Sequence, residues 1–245
     1  MCTVSWIHGE DGYLLLFNRD ELRTRKPALA PRIEQRNGVE FIAPLDGDHG
    51  GSWIAVNRFG LTLCLLNRFD DSAGGIIREY TSRGLLLHEL IDCSALKMVT
   101  ERVDDTKCSR FRPFTLVALV TDQPAMVIEW TGSETITKSP AENLMPITSS
   151  SLQEGNVALE RKGQFQEMVL KRSRVDDDLL FEFHRSHLPE RGPASVCMHR
   201  PDARTVSMST VTVTQKVIEF VYHPNSPCQA AITDRLQLER TPLVS

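Results

Sequence analysis

Between residues 3 and 66 the sequence breaks into short apolar runs separated by turn residues, and this spacing constrains the fold most. Residues 3–8 and 13–17 flank Gly9-Glu10-Asp11-Gly12, a link with tight-turn composition, so the two runs are expected to form a hairpin. Residues 41–43, 52–56 and 61–66 continue the series, the last two joined by Asn57-Arg58-Phe59-Gly60. Strands joined by such short links pair antiparallel. No run approaches the roughly 20 apolar residues of a membrane-spanning helix, so stable membrane insertion is not expected. Residues 23–37, rich in Arg and Pro, read as an extended surface excursion.

Helical periodicity takes over at residues 80–92, where Leu85, Leu86, Leu87, Leu90 and Ile91 form a stripe, and again at residues 94–103. Strands resume at 114–120 and 125–130, and residues 134–138 and 145–148 read as a further pair. Two more helices fit 156–171 and 176–184, the second with Asp176 as N-cap and acidic residues in its first turn. Strands at 194–199, 205–214 and 216–222 close the series, and the polar tail after about residue 224 is expected at the periphery. No linker rich in Gly, Ser or Pro divides the chain. The order of elements fits one α+β domain over residues 1–245, with two mainly antiparallel sheets packed together and a helical layer outside each.

The 245 residues carry 28 Lys and Arg against 32 Asp and Glu, a formal charge of −4. That balance gives no electrostatic footprint for nucleic acid. The amino-terminal stretch has no basic region, and Glu10 and Asp11 interrupt any signal core, which makes a cytoplasmic protein the expectation. Six cysteines, at 2, 64, 93, 108, 197 and 228, are widely spaced and read as free thiols. Cys64 and Cys197 sit among apolar neighbours and read as small core residues.

Cys2 differs by position. Removal of Met1 leaves a thiol and a free α-amine on one residue. An α-amine titrates near about 7.7–8, against about 10.4 for lysine, so it can act as general base for its own thiol. The hairpin returns Asn18-Arg19-Asp20-Glu21 toward Cys2. There a guanidinium would favour the thiolate, and a carboxylate would hold the ammonium or order the arginine. Taken alone, that tetrapeptide reads as a polar strand end; beside Cys2 it reads as a site.

Met1-Cys2-Thr3 followed by Phe17-Asn18-Arg19-Asp20-Glu21 resembles the NRDE family, also called the transport and Golgi organisation 2 family. Lys26-Pro27, Gly50-Gly51-Ser52-Trp53-Ile54, Gly60 and Leu65-Leu66-Asn67 extend the resemblance, with weaker echoes at Arg83-Gly84-Leu85, Val196-Cys197 and residues 205–210. The resemblance implies a branch of the N-terminal nucleophile (Ntn) hydrolases and their four-layer α-β-β-α sandwich. The start of the chain is also similar to the choloylglycine hydrolase and penicillin V acylase group, cysteine amidases acting on linear amides. Carried over, Cys2 is nucleophile and α-amine base, Arg19 and Asp20 position and polarise it, and Asn67 contacts an oxyanion or the substrate. Asn18, Glu21, Trp53 and Ser150 are the implied substrate contacts, Ser150 standing in a serine-rich stretch where that group has a second Asn. In the amidases two residues separate the Arg from the Asp. Here the two are adjacent, and strand neighbours face opposite sides, so both reach one pocket only if the chain turns.

In Gly47-Asp48-His49-Gly50-Gly51-Ser52-Trp53 the glycines allow close backbone approach, and Trp53 reads either as a pocket wall or as a buried strand residue. His184 and His187 read as surface residues without a metal-ligand partner, so no metal and no cofactor are expected. The functional expectation is a cysteine-nucleophile hydrolase of a small linear amide or related acyl compound. The alternative implied by the resemblance is a non-catalytic carrier for haem, lipid or acyl-CoA on a degenerate hydrolase pocket. The expected partner is a small molecule; no surface feature singles out a protein interface, and an oligomer is compatible with the sequence.

Overall fold

The computed structural model describes residues 2–69, 79–151, 154–172, 176–229 and 233–241. The first hairpin joins β1 (Cys2–His8) to β2 (Tyr13–Leu22) through a Gly9 N–H to Gly12 carbonyl bond of 2.8 Å. Glycine is required at position 12, because a Cβ there would fall 1.7 Å from the Val213 carbonyl oxygen.

The strands up to residue 138 that follow the hairpin form one sheet in sequence order. They are β3 (Leu29–Arg36), β4 (Val39–Leu45), β5 (Ile54–Asn57), β6 (Thr62–Asn67), β7 (Phe114–Leu119), β8 (Met126–Trp130) and β9 (Thr135–Lys138). The other sheet gathers distant strands: β10 (Ile147–Ser149), β1, β2, β11 (Ala203–Val213), β12 (Val217–His223) and β13 (Asp234–Glu239), in that spatial order. Every pairing between neighbours is antiparallel.

Three cores separate four layers. Val4, Trp6, Leu15 and Phe17 of one sheet meet Ile54, Val56, Cys64, Leu66 and Val117 of the other between the sheets. Leu61, Leu63 and Leu65 point the opposite way, against α1 (Gly84–Leu90) and α2 (Leu96–Asp105), where Leu86, Leu87, Leu90, Val99 and Val103 cover them. Leu14, Leu16 and Met208 pack under α3 (Glu154–Phe165), its π-helical continuation Gln166–Leu170, and α4 (Asp177–Arg185). Strands covered on both faces carry unbroken apolar runs rather than alternation, which explains residues 14–17 and 61–66. The α4 cap is as expected, with the Asp176 carboxylate accepting the Leu179 N–H at 3.1 Å.

The structure corrects four expectations. Residues 23–37 contain β3, an edge strand; with only Pro31 buried, it shows no apolar alternation to betray it. Residues 134–138 and 145–148 do not pair with each other, since β9 joins β8 while β10 joins β1 in the opposite sheet. Residues 194–199 form no strand and follow a bent path with one bridge, from His199 to Arg204. The polar tail supplies β13, which pairs with β12 and buries Leu238 in the inter-sheet core.

Candidate active site

β1 lies between β2 and β10, so its first residue is held from both sides: Cys2 pairs with Arg19 on one and Ser149 on the other. The Cys2 N–H donates to Ser149 Oγ at 3.1 Å. Its side chain lines a cavity of about 270 Å³ together with Arg19, Asp20, Glu21, Trp53 and Asn67. Burial raises the Cys2 thiol to about 11, opposed by the terminal ammonium and Arg19 and reinforced by Asp20.

The end of β2 divides its residues between two faces. Arg19 stacks on Trp53, with Cζ 3.9 Å from the ring centroid, and donates through Nη2 to Asp46 Oδ2. Glu21 stands 3.5 Å from the same guanidinium. Asn18 points toward the helices, where Nδ2 donates to the carbonyls of His184 at 2.8 Å and Val196 at 3.1 Å. The Asp20 carboxylate also turns from Cys2. It accepts from Thr205 Oγ1 at 2.6 Å and lies 3.5 Å from Arg161 Nη1. The Asp20 backbone N–H nevertheless stabilises the Cys2 thiolate. Adjacent residues thus serve one site, Arg19 through its side chain and Asp20 through its backbone, beside an irregularity in β11 between Thr205 and Ser207.

Arg161 of α3 anchors the helix side. It donates to Thr3 Oγ1 at 2.6 Å, to the Ser195 carbonyl at 2.7 Å and to the Ala194 carbonyl at 3.2 Å. His184 is fully buried, contrary to the surface position expected of it. Its Nε2 bonds Ser5 Oγ at 2.8 Å, and burial, then Arg161, push the ring down to about 3.

The loop before β5 closes the other wall. Asp46 accepts the backbone N–H groups of Asp48 at 3.1 Å and His49 at 2.9 Å while pairing with Arg19 and Arg25. Burial pushes the Asp46 carboxyl up, but the two arginines and these N–H groups prevail and hold it below the usual range. Gly51 lies so near the start of α1 that a Cβ would come 2.6 Å from the Gly84 carbonyl carbon. Arg83 and Arg112 also line the cavity. Neither has a carboxylate at ion-pair distance among the described residues, and burial together with Arg112 lowers Arg83 to about 10.

Of the residues singled out in the sequence, Cys2, Arg19, Asp20, Glu21, Trp53 and Asn67 meet around one cavity. Asn18 lies outside it because strand alternation turns it to the helices. Ser150 is buried beyond the end of β10 and does not line it; Ser149 is the serine beside Cys2. Asp46, Arg83, Arg112 and Arg161 escaped sequence reasoning. Only Arg83, in the echo Arg83-Gly84-Leu85, carried a signal that marked it.

Four α-β-β-α layers, with a cysteine opening an interior strand at a cavity between the sheets, define the N-terminal nucleophile hydrolase fold. The chain belongs to the transport and Golgi organisation 2 (TANGO2) family, whose model matches residues 1–217. Among solved structures, the Caenorhabditis elegans ortholog of N-acylethanolamine-hydrolyzing acid amidase is similar at TM-score 0.59 and 12% identity, over 86% of this chain and 92% of that one. Penicillin V acylase from Agrobacterium tumefaciens is similar at TM-score 0.57 and 9% identity, over 96% of this chain and 86% of that one. The C2A mutant of conjugated bile acid hydrolase from Clostridium perfringens is similar at TM-score 0.54 and 11% identity, over 100% and 99%. At such identities the likeness is one of fold. No curated protein matches the sequence. Among the described residues no helix is long and apolar enough to cross a membrane.

Proposed function

We propose that the Cys2 cavity hydrolyses a small linear amide or related acyl compound bearing an anionic group, in a cytosolic setting. The observation that carries this reading is the convergence of Cys2, Arg19, Asp20 and Asn67 on one cavity of a hydrolase fold. Removal of Met1 frees the Cys2 α-amine beside Ser149 Oγ. The amine accepts the thiol proton, and the thiolate attacks the carbonyl carbon. The Asn67 amide donates to the oxyanion, and Arg19, held by Asp46 and Trp53, adds positive charge beside the thiolate. The proton returns to the leaving nitrogen as the C–N bond breaks. Water, deprotonated by the same amine, then releases the acid and restores the thiol. Arg83 and Arg112, without carboxylate partners among the described residues, suit the substrate's anionic group.

The thiol pushed up to about 11 favours a second reading, in which the cavity holds an anionic ligand such as haem or acyl-CoA without cleaving it. One experiment separates the two. Intact mass of protein taken from cells reports Met1 removal, and a thiol-reactive lactone or activated amide probe reports acylation. The hydrolase reading expects loss of Met1 and an acyl adduct that Cys2→Ala abolishes. Retained Met1, or an adduct unchanged in Cys2→Ala, refutes it. Titration with haem or an acyl-CoA whose affinity ignores Cys2→Ala but falls in Arg83→Met supports the carrier.

A further inference from the structure

Four side chains from separate stretches of the chain meet outside the Cys2 cavity. His187 follows α4, Cys197 and His199 lie on the bent segment before β11, and Cys228 lies in the turn beyond β12. Their donor atoms all fall within 4.8 Å of one another. Cys197 Sγ and Cys228 Sγ each stand 3.5 Å from His199 Nε2.

A single imidazole nitrogen has one lone pair and accepts one thiol proton, so bonds to that nitrogen alone do not explain two sulfurs converging on it. A shared central ion does. Tetrahedral zinc, with bonds of about 2.3 Å to sulfur and about 2.0–2.1 Å to nitrogen, sets a sulfur-to-nitrogen edge of roughly 3.6 Å. The two observed separations match that edge. The fourth residue points the same way, since His187 Nε2 is buried without a hydrogen-bond partner among the described residues and its ring meets that of His199 edge-on at 5.1 Å.

We propose that His187, Cys197, His199 and Cys228 bind zinc(II) in a closed structural site with two sulfur and two nitrogen ligands. On binding, each thiol releases its proton to solvent and each neutral imidazole supplies a lone pair. Two thiolates then balance the charge of the ion, and the complex is neutral. Arg191 Nη2 lies 3.4 Å from His199 Nδ1. When the metal takes Nε2, the ring proton moves to Nδ1, and Arg191, exposed at the surface, swings away. The sulfur and nitrogen donor set selects zinc over magnesium or calcium. With all four positions filled by protein, no place is left for a catalytic water.

The clamp ties the segment after α4 to the turn after β12. That segment also supplies the Ser195 and Ala194 carbonyls that hold Arg161, and the Val196 carbonyl that holds Asn18. Zinc therefore braces the far side of β2, opposite Cys2, without touching the cavity.

The test is elemental analysis of the full-length protein purified from zinc-supplemented cells without chelator, paired with cobalt(II) reconstitution of the stripped protein. About one zinc per chain is expected, with the visible bands and thiolate charge transfer of tetrahedral cobalt. Cys228 lies at the surface, so Cys228→Ser keeps the fold by circular dichroism and reduces bound zinc to a small fraction. Cys93→Ser and Cys2→Ala retain the full amount, and EDTA lowers the Tm of the parent but not of Cys228→Ser. Zinc content unchanged in Cys228→Ser, an octahedral cobalt spectrum, or a Cys197–Cys228 disulfide found after alkylation of the native protein would each overturn the proposal.

Discussion

Replacing Arg161 with methionine tests how the helix layer holds the strand behind Cys2. The Arg161 and Asp20 side chains are 1% and 0% exposed, so water cannot replace either partner. The substitution leaves Asp20 without this cation and strands the Ser195 and Ala194 carbonyls. Removing one partner of a buried pair costs about 3–5 kcal/mol. In a chain of this size each kcal/mol moves Tm by about 2–4 °C, so a fall of roughly 10 °C is expected. Urea unfolding followed by tryptophan fluorescence, in reductant to protect the free thiols, gives the same quantity as a shift in midpoint. Repeating the substitution in the Asp20→Asn background separates charge from hydrogen bonding, and there Arg161→Met should cost about 1–3 kcal/mol less. A cost below about 1 kcal/mol in the parent, or an equal cost in both backgrounds, would refute the argument.

Three further perturbations probe other parts of the molecule. His184 is pushed down to about 3, so between pH 6.5 and 3 the unfolded chain binds the extra proton, and stability falls as pH drops through that window. His184→Gln should remove about 3 kcal/mol of the loss between pH 6.5 and 4, measured by urea midpoints; parallel losses in both proteins would count against a buried neutral imidazole. Gly51→Ala forces a Cβ against Gly84 and should cost about 1–3 kcal/mol while changing the labelling rate of Cys2; a neutral result in both assays contradicts the tight wall. Arg83→Met should weaken an anionic cavity ligand about tenfold and leave a neutral analogue unchanged, as read by calorimetry, whereas equal weakening of both would remove the argument for an anionic substrate.

What the sequence revealed depended on how local the physics was. The hairpin of β1 and β2 is set by a four-residue turn, so Arg19 could be brought to Cys2 from the sequence alone. The apolar runs at 14–17 and 61–66 announced strands covered on both faces. β3 stayed hidden because an exposed edge strand has no apolar face to bury. The pairing of β10 with β1 joins residues about 145 positions apart, and no local pattern encodes such a register. Asn67 and Trp53 were legible as strand ends within a recognisable stretch. Asp46 and Arg161 act across folded distances, and their roles follow only from their partners. The His187–Cys228 cluster was the least legible, because its four donors sit on irregular backbone with no repeating interval. Sequence spacing drew attention instead to the pair His184 and His187, which the fold separates.

A strand that begins in the interior of a sheet does not behave as a loose chain end. Cys2 is locked by neighbours on both sides and opens directly on the cavity, so a ligand meets a thiol whose backbone is already ordered, and binding costs no further strand entropy there.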